Sequence, residues 1–249
     1  MGGGTDKPKL IVNGKRLDGR GLEDLRPVRI VARVLNDADG SAYVEWGKNK
    51  VLAGVYGPKE CIPKHGASLY RSIIKCRYMM APFCSLEEHG RSGPNRRSKE
   101  LSMLIAQVFE NVIINEAYPE TEIEIFVEIL QSDGGTRCAA ITAAAVALAD
   151  AGIPMKDLVA AVAVGKFDGE VGVDLSKEED NSGDSDMPIA IAPRNGEILL
   201  FQMDGLLTRE ETDKGIEMAL EASKKIHELQ ADALRKVYEE NRSTVKLEM

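Results

Sequence analysis

The sequence predicts an α+β fold made of two related βα halves that share a core. Three observations carry this. Strand-like segments come in groups, each group is followed by a helix, and this happens twice along the chain, a layered order rather than the strict alternation of a doubly wound sheet. Residues 122–130, EIEIFVEIL, alternate without a break, as a strand with one face on a core does. No linker-like stretch separates the groups. The halves are placed at residues 17–152 and 153–240, with 1–16 and 241–249 peripheral.

The elements follow in order. Residues 28–58 read as three strands, turning at Asp37-Ala38-Asp39-Gly40 and at Gly47-Lys48-Asn49, residue types that favour tight turns. In the middle strand Ala42, Val44 and Trp46 share a face. Residues 68–82 hold a further strand that ends before Pro82, with Tyr70 read as an ordinary strand-face residue, and a polar loop with Gly90, Gly93 and Pro94 follows. Leu101, Leu104, Ile105, Val108 and Val112 recur at helical spacing. That helix is expected to be capped by Ser98 and stopped by Pro119. After strand 122–130, Gly134-Gly135 opens an alanine-rich helix. A hairpin over 158–175 turns at Phe167-Asp168-Gly169, an acidic loop runs through 178–186, and two strands follow at 187–193 and 197–205. The last element is one amphipathic helix from Thr208, whose spacing to Glu211 is that of a capping box. Ile216, Leu220, Ile226, Leu229 and Leu234 form its apolar face, and it frays beyond Tyr238.

Composition narrows the function. Of 249 residues 43% are hydrophobic and 29% charged, enough for a sizeable core. No apolar run is long enough to span a membrane. The four cysteines are irregularly spaced with no C-x-x-C pair, which suits reduced thiols in a cytoplasmic protein. Cys61 and His65 lack the further ligands a structural zinc site needs. The net charge of −8 argues against coating nucleic acid without specificity. Between Lys64 and Lys99, however, eight Lys and Arg residues face only Glu87 and Glu88, and a local basic track of this kind suits a focused polyanion.

Three motifs carry chemistry. Gly134-Gly135-Thr136-Arg137 joins a strand to a helix start: free N–H groups, a helix-dipole end, a hydroxyl and a forked cation make a phosphate-sized site. Arg96 and Arg97 stand at a second helix start, where the macrodipole prefers acids and a bound anion would offset the cost. The acidic loop groups Asp180, Asp184 and Asp186. Grouped carboxylates hold Mg²⁺ together with water and phosphate oxygens, or one of them keeps a proton as a general acid. Asp186 directly precedes an apolar strand and is expected at a rigid sheet edge. Anion sites facing carboxylates point to phosphoryl transfer, where positioning and charge neutralisation do most of the catalysis.

Four segments, RLDGRGLEDLRPV, NRRSKELS, EILQSDGGTRCAAITAAAVALADAGIPM and EEDNSGDSDMPIA, together resemble the RNase PH family in its archaeal exosome branch, over roughly Leu17 to Tyr238. The resemblance implies an RNase PH-like fold and 3′-to-5′ phosphorolysis of single-stranded RNA, with inorganic phosphate as co-substrate and nucleoside diphosphates as products. It implies a hetero-hexameric ring, a trimer of heterodimers with an inactive paralogue, topped by RNA-binding cap subunits. By motif, Arg97, Arg137, Gly135 and Thr136 would hold the phosphate. Thr136 stands where relatives often carry Ser, a change that keeps the hydroxyl. Asp180 matches the general acid and Asp186 the carboxylate that binds Mg²⁺ or Mn²⁺, with Asp180 beside it. Arg96 would contact RNA near its 3′ end; Lys64, in PKHG, belongs to none of these motifs and is assigned here to RNA further upstream. A stand-alone enzyme trimming transfer-RNA ends and a non-catalytic ring subunit are the competing expectations; the second requires loss of the arginines or aspartates, and all are present.

Overall fold

A computed structural model of the chain describes residues 9–85 and 94–247, with side chains to residue 239. Residues 86–93, most of the expected polar loop, lie outside the described residues. A short hairpin, β1 (Ile11–Val12) and β2 (Lys15–Arg16), comes first. The first half then runs β3 (Val28–Ala32), β4 (Gly40–Trp46), β5 (Asn49–Glu60), β6 (Ile73–Met80), α1 (Arg96–Val112), β7 (Thr121–Gln131) and α2 (Thr136–Asp150). The second half runs β8 (Ala160–Phe167), β9 (Glu170–Val173), α3 (Lys177–Ser182), β10 (Ser185–Ala192), β11 (Glu197–Phe201), β12 (Asp204–Gly205) and α4 (Arg209–Leu247).

Each half contributes a five-stranded sheet. The first is ordered β3-β4-β5-β7-β6, antiparallel except where β6 runs parallel to β7. The second is ordered β11-β10-β8-β9, with β12 also paired to β10. The alternation of β7 holds: Ile123, Ile125, Val127 and Ile129 are all buried. The hairpin turn between β8 and β9 is Asp168-Gly169, both at positive φ, as a tight Asp-Gly turn requires.

Helix α2 lies between the sheets, packed on β4 and β5 on one side and on β8 and β10 on the other. Ala139 to Leu148 are all buried. A helix covered on all sides must be apolar all round, and one squeezed between two sheets must be thin; a run of alanines meets both demands. One continuous apolar cluster spans both halves. Helix α4 covers the second sheet through small residues. Gly215 is so close that an added Cβ would stand 2.7 Å from the Met187 methyl and 3.1 Å from Val164.

The structure corrects several expectations. Helix α1 begins at Arg96 with Asn95 as its cap, and Ser98 is the third residue of the capping box, each side chain accepting the other's backbone N–H. It stops at Val112, well before Pro119, because Ile113 turns extended and bridges to Met155. The acidic loop is in part a helix, α3, boxed by Ser176 and Glu179. Segment 197–205 is two strands: the chain breaks at Gln202-Met203 and returns to pair beside Asp186. On α4 the Thr208–Glu211 box forms, but Leu229 is exposed and the buried stripe runs through Ala219, Ala222, Ile226 and Gln230. The helix continues past Tyr238 to Leu247. Tyr70 precedes β6 and is 82% exposed, so it is not a strand-face residue. Within residues 9–16, Leu10 joins the core and Arg16 is buried. Among the described residues no helix is long and apolar enough to cross a membrane.

Candidate active site

The turn from β7 into α2 is held from behind. Asn49, fully buried, accepts from the Asp133 N–H at 2.6 Å and donates to the Gly134 carbonyl at 2.6 Å. Arg26 donates to the Asp133 carbonyl and ion-pairs with Asp174 at 2.7 Å. Gly134 and Gly135 both take positive φ, +72° and +65°, the left-handed region open to glycine. Gly134 also has no room for a side chain: a Cβ would lie 2.6 Å from the Ser176 carbonyl carbon. The glycine turn and the start of α3 therefore touch backbone to backbone.

Gly135 is the N-cap of α2, in the left-handed conformation, and the first turn contains no acid. The helical hydrogen bonds start with the Cys138 N–H, so the earlier N–H groups have no intrahelical acceptor. Thr136 is buried, and its Oγ1 accepts from the Tyr78 hydroxyl at 3.0 Å. Burial pushes the Tyr78 phenol up, which keeps it a neutral donor. Tyr78 is also tied to α1, its N–H donating to Ser102 Oγ at 2.9 Å. Both Arg97 and Arg137 act electrostatically on the phenol. The first turn of α1, like that of α2, has no acidic residue.

Opposite these cations stand the carboxylates. Asp180 lies on α3, and its carboxyl is raised, first by the protein crowded against it, with Arg97 and Arg137 opposing. Asp186 is the second residue of β10, facing Asp204 of β12 across the pair. Burial first, and Asp180 second, push the Asp186 carboxyl up to about 6; Arg137 and Arg97 oppose and Asp204 adds. Its Oδ1 is buried and has no hydrogen-bond partner among the described residues. Helix α3 is fixed by Arg16: Nε donates to Glu179 at 2.7 Å, the guanidinium ion-pairs with the same carboxylate, and Nη1 reaches the Val173 carbonyl at 2.6 Å. Burial works to raise Glu179, but Arg16 and the Ser176 N–H outweigh it and hold the carboxyl below its ordinary value.

Arg97, Gly135, Thr136, Arg137, Asp180 and Asp186 thus gather at one corner, where the N-termini of two helices meet α3 and the start of β10. Arg96 stands beside Arg97 in the first turn of α1, exposed. Lys64 does not join them. It is exposed and ion-paired with Glu60 at 2.5 Å, and Glu60 pairs with Thr121, at the opposite end of β7 from the glycine turn. Eleven residues of β7 put it about 30 Å away. Sequence reasoning missed Tyr78, Asp204 and Gln202, whose side-chain Oε1 accepts from Arg137 Nη1 at 2.5 Å. None belongs to a motif: strand pairing brings in Tyr78 and Asp204, and the break between β11 and β12 brings in Gln202.

The donor set fits a hard divalent cation in part. No group of three or more His, Cys, Asp or Glu side chains among the described residues could enclose a metal by itself. The orphaned Asp186 Oδ1, with Asp180 near enough to raise its carboxyl, offers the one or two carboxylates that Mg²⁺ takes when substrate phosphate and water complete its shell.

The chain matches the 3′ exoribonuclease family, domain 1, over residues 24–154 and domain 2 over residues 157–222. It is 53% identical over 239 residues to exosome complex component Rrp41 of Thermococcus kodakarensis, covering 96% of each chain, and 51% identical over 235 residues to that of Thermoplasma acidophilum, covering 94% of each. Rice Rrp46 superposes with a TM-score of 0.80 at 27% identity, covering 88% of this chain and 100% of the other. A chain of the Archaeoglobus fulgidus exosome with RNA bound to the active site gives 0.74 at 25% identity, covering 86% and 92%. Sequence motifs, two-sheet architecture and the arginine–aspartate corner converge: the chain belongs to the RNase PH family of 3′ exoribonucleases.

Proposed function

We propose that this chain degrades single-stranded RNA from its 3′ end by phosphorolysis, as the catalytic subunit of an exosome ring. The observation that carries the reading is the pairing of two arginines at acid-free helix starts with two carboxylates whose pKa values are raised. Arg97, Arg137, the Gly135 N–H and the Thr136 hydroxyl hold inorganic phosphate. The phosphate attacks the phosphorus of the last nucleotide, forming a new P–O bond and breaking the bond to the 3′ oxygen of the nucleotide before it. A nucleoside diphosphate leaves. The 3′ oxygen needs a proton, and Asp180, raised and beside both arginines, supplies it. The reverse reaction extends RNA from diphosphates. Asp186 with Asp180 would hold Mg²⁺, or Mn²⁺, which when bound neutralises charge on the phosphodiester. Arg96 contacts the RNA backbone near the 3′ end; Lys64, at the far end of the sheet, meets RNA upstream.

The ring is a trimer of heterodimers with an inactive paralogue, carries RNA-binding caps, and works in the cytoplasm. The test is to incubate 3′-labelled RNA and Mg²⁺ with the chain, alone and with its paralogue, with and without phosphate. Diphosphates released only with phosphate are expected. Asp180→Ala is expected to abolish release while RNA binding persists. Monophosphates released without phosphate would overturn the roles of Arg97 and Arg137.

A further inference from the structure

Arg137 lies within electrostatic reach of Asp180 and Asp186, yet it makes no ion pair with either among the described residues. Its direct partner is neutral, Oε1 of Gln202 at 2.5 Å from Nη1. Arginine has donors only, so the amide must turn its oxygen to the guanidinium. On the other edge, Arg137 Nε is buried and has no hydrogen-bond partner among the described residues. A buried donor without an acceptor is costly unless a ligand supplies one.

The fold places Gln202 deliberately. It sits at the break between β11 and β12, and its N–H donates to the Pro188 carbonyl at 3.2 Å. Pro188 is on β10, two residues beyond Asp186. Gln202 therefore reaches across the two halves: its backbone is tied to the strand of Asp186 and its side chain to the helix of Arg137.

We propose that Gln202 is a positioning residue for phosphate. It grips Arg137 through an uncharged acceptor, so the guanidinium is fixed but not neutralised, and its Nε–H edge remains for inorganic phosphate. A carboxylate in this place would grip as well, but it would compete with the phosphate for the same cation. The proposal rests on the reading of Arg137 as a phosphate ligand.

The test compares Gln202→Glu, which keeps the acceptor and adds charge, with Gln202→Met, which keeps the length and removes the acceptor, in the assembly that carries activity. Gln202→Glu is expected to raise the phosphate KM about ten-fold or more while the RNA KM changes less than about two-fold. Calorimetric titration with inorganic phosphate alone, without RNA, is expected to give the same ratio in Kd. The Gln202→Glu defect is expected to shrink only as pH falls to about 4 and below, where the introduced carboxyl, held down by the guanidinium, gains a proton, whereas the smaller Gln202→Met defect does not follow that titration. An unchanged phosphate KM and Kd in both variants overturns the proposal, as does a loss shared equally by phosphate and RNA with no such pH dependence. Arg137→Ala is measured in parallel. If it leaves the phosphate KM unchanged, the reading of Arg137 itself fails; if it raises the KM and neither Gln202 variant does, only the role of Gln202 falls.

Discussion

At the scale of single residues, Asp186 is held at a cost to the folded chain. Burial first, and Asp180 second, push its carboxyl from an ordinary 3.8 up to about 6, so the folded state binds the proton more tightly. The sign follows from linkage: the stability this gives is fully present below the unfolded value and is lost as pH rises toward about 6. Asp186→Asn removes the ionisation. Without divalent cation or phosphate the variant is expected to be more stable than the parent at pH 8 by roughly 2 kcal/mol, after allowance for partial solvent access, and the gap is expected to close near pH 4. Urea unfolding across this range measures it; a parent more stable than the variant at pH 8 would refute it. Residue types were the most legible part of the sequence. Arg97, Arg137, Asp180 and Asp186 sit in short motifs whose chemistry is local. Tyr78 and Gln202 were not legible, since each is an unremarkable strand or loop residue until the sheets close and carry it to Thr136 and Arg137.

At the scale of elements, the glycine turn and α3 act as one unit, because the backbone of Gly134 rests on that of Ser176. Gly152 offers an internal control: it has nearly the same φ, +73° against +72°, but nothing within 4 Å of an added Cβ. Gly134→Ala is expected to cost at least about 1 kcal/mol more than Gly152→Ala in unfolding free energy. Only Gly134→Ala is expected to lower turnover. Equal losses in both variants would mean that backbone strain alone matters and that the turn does not brace α3. Periodicity identified the long elements correctly but misplaced their ends. The start of α1 was missed because Asn95 and Ser98 are both good capping residues, and only the reciprocal hydrogen bonds select between them. Helix α3 was missed because a run of acids reads as solvated loop. The buried Arg16–Glu179 pair that stabilises it joins positions 163 residues apart, a distance no local pattern spans.

For the whole molecule, the central feature is a helix with a sheet on each side. Ala144 is fully buried in it. Ala144→Leu is expected to lower stability by about 1–3 kcal/mol, since neither sheet can retreat without disturbing the other; thermal unfolding reads this, and a neutral result would mean slack between the layers. The shared core was legible because no linker-like stretch separates the two groups of elements; that an alanine-rich helix forms its middle layer was not, since only the sheets on both sides explain its small residues. The arrangement has a further meaning. The arginines belong to the first half of the chain, and Asp180, Asp186 and Gln202 to the second. On the proposed reading the site is a property of the junction and of neither part: one half brings the anion-binding arginines and the other the proton donor, and because a single core spans both, neither half is a complete fold that could present its share alone.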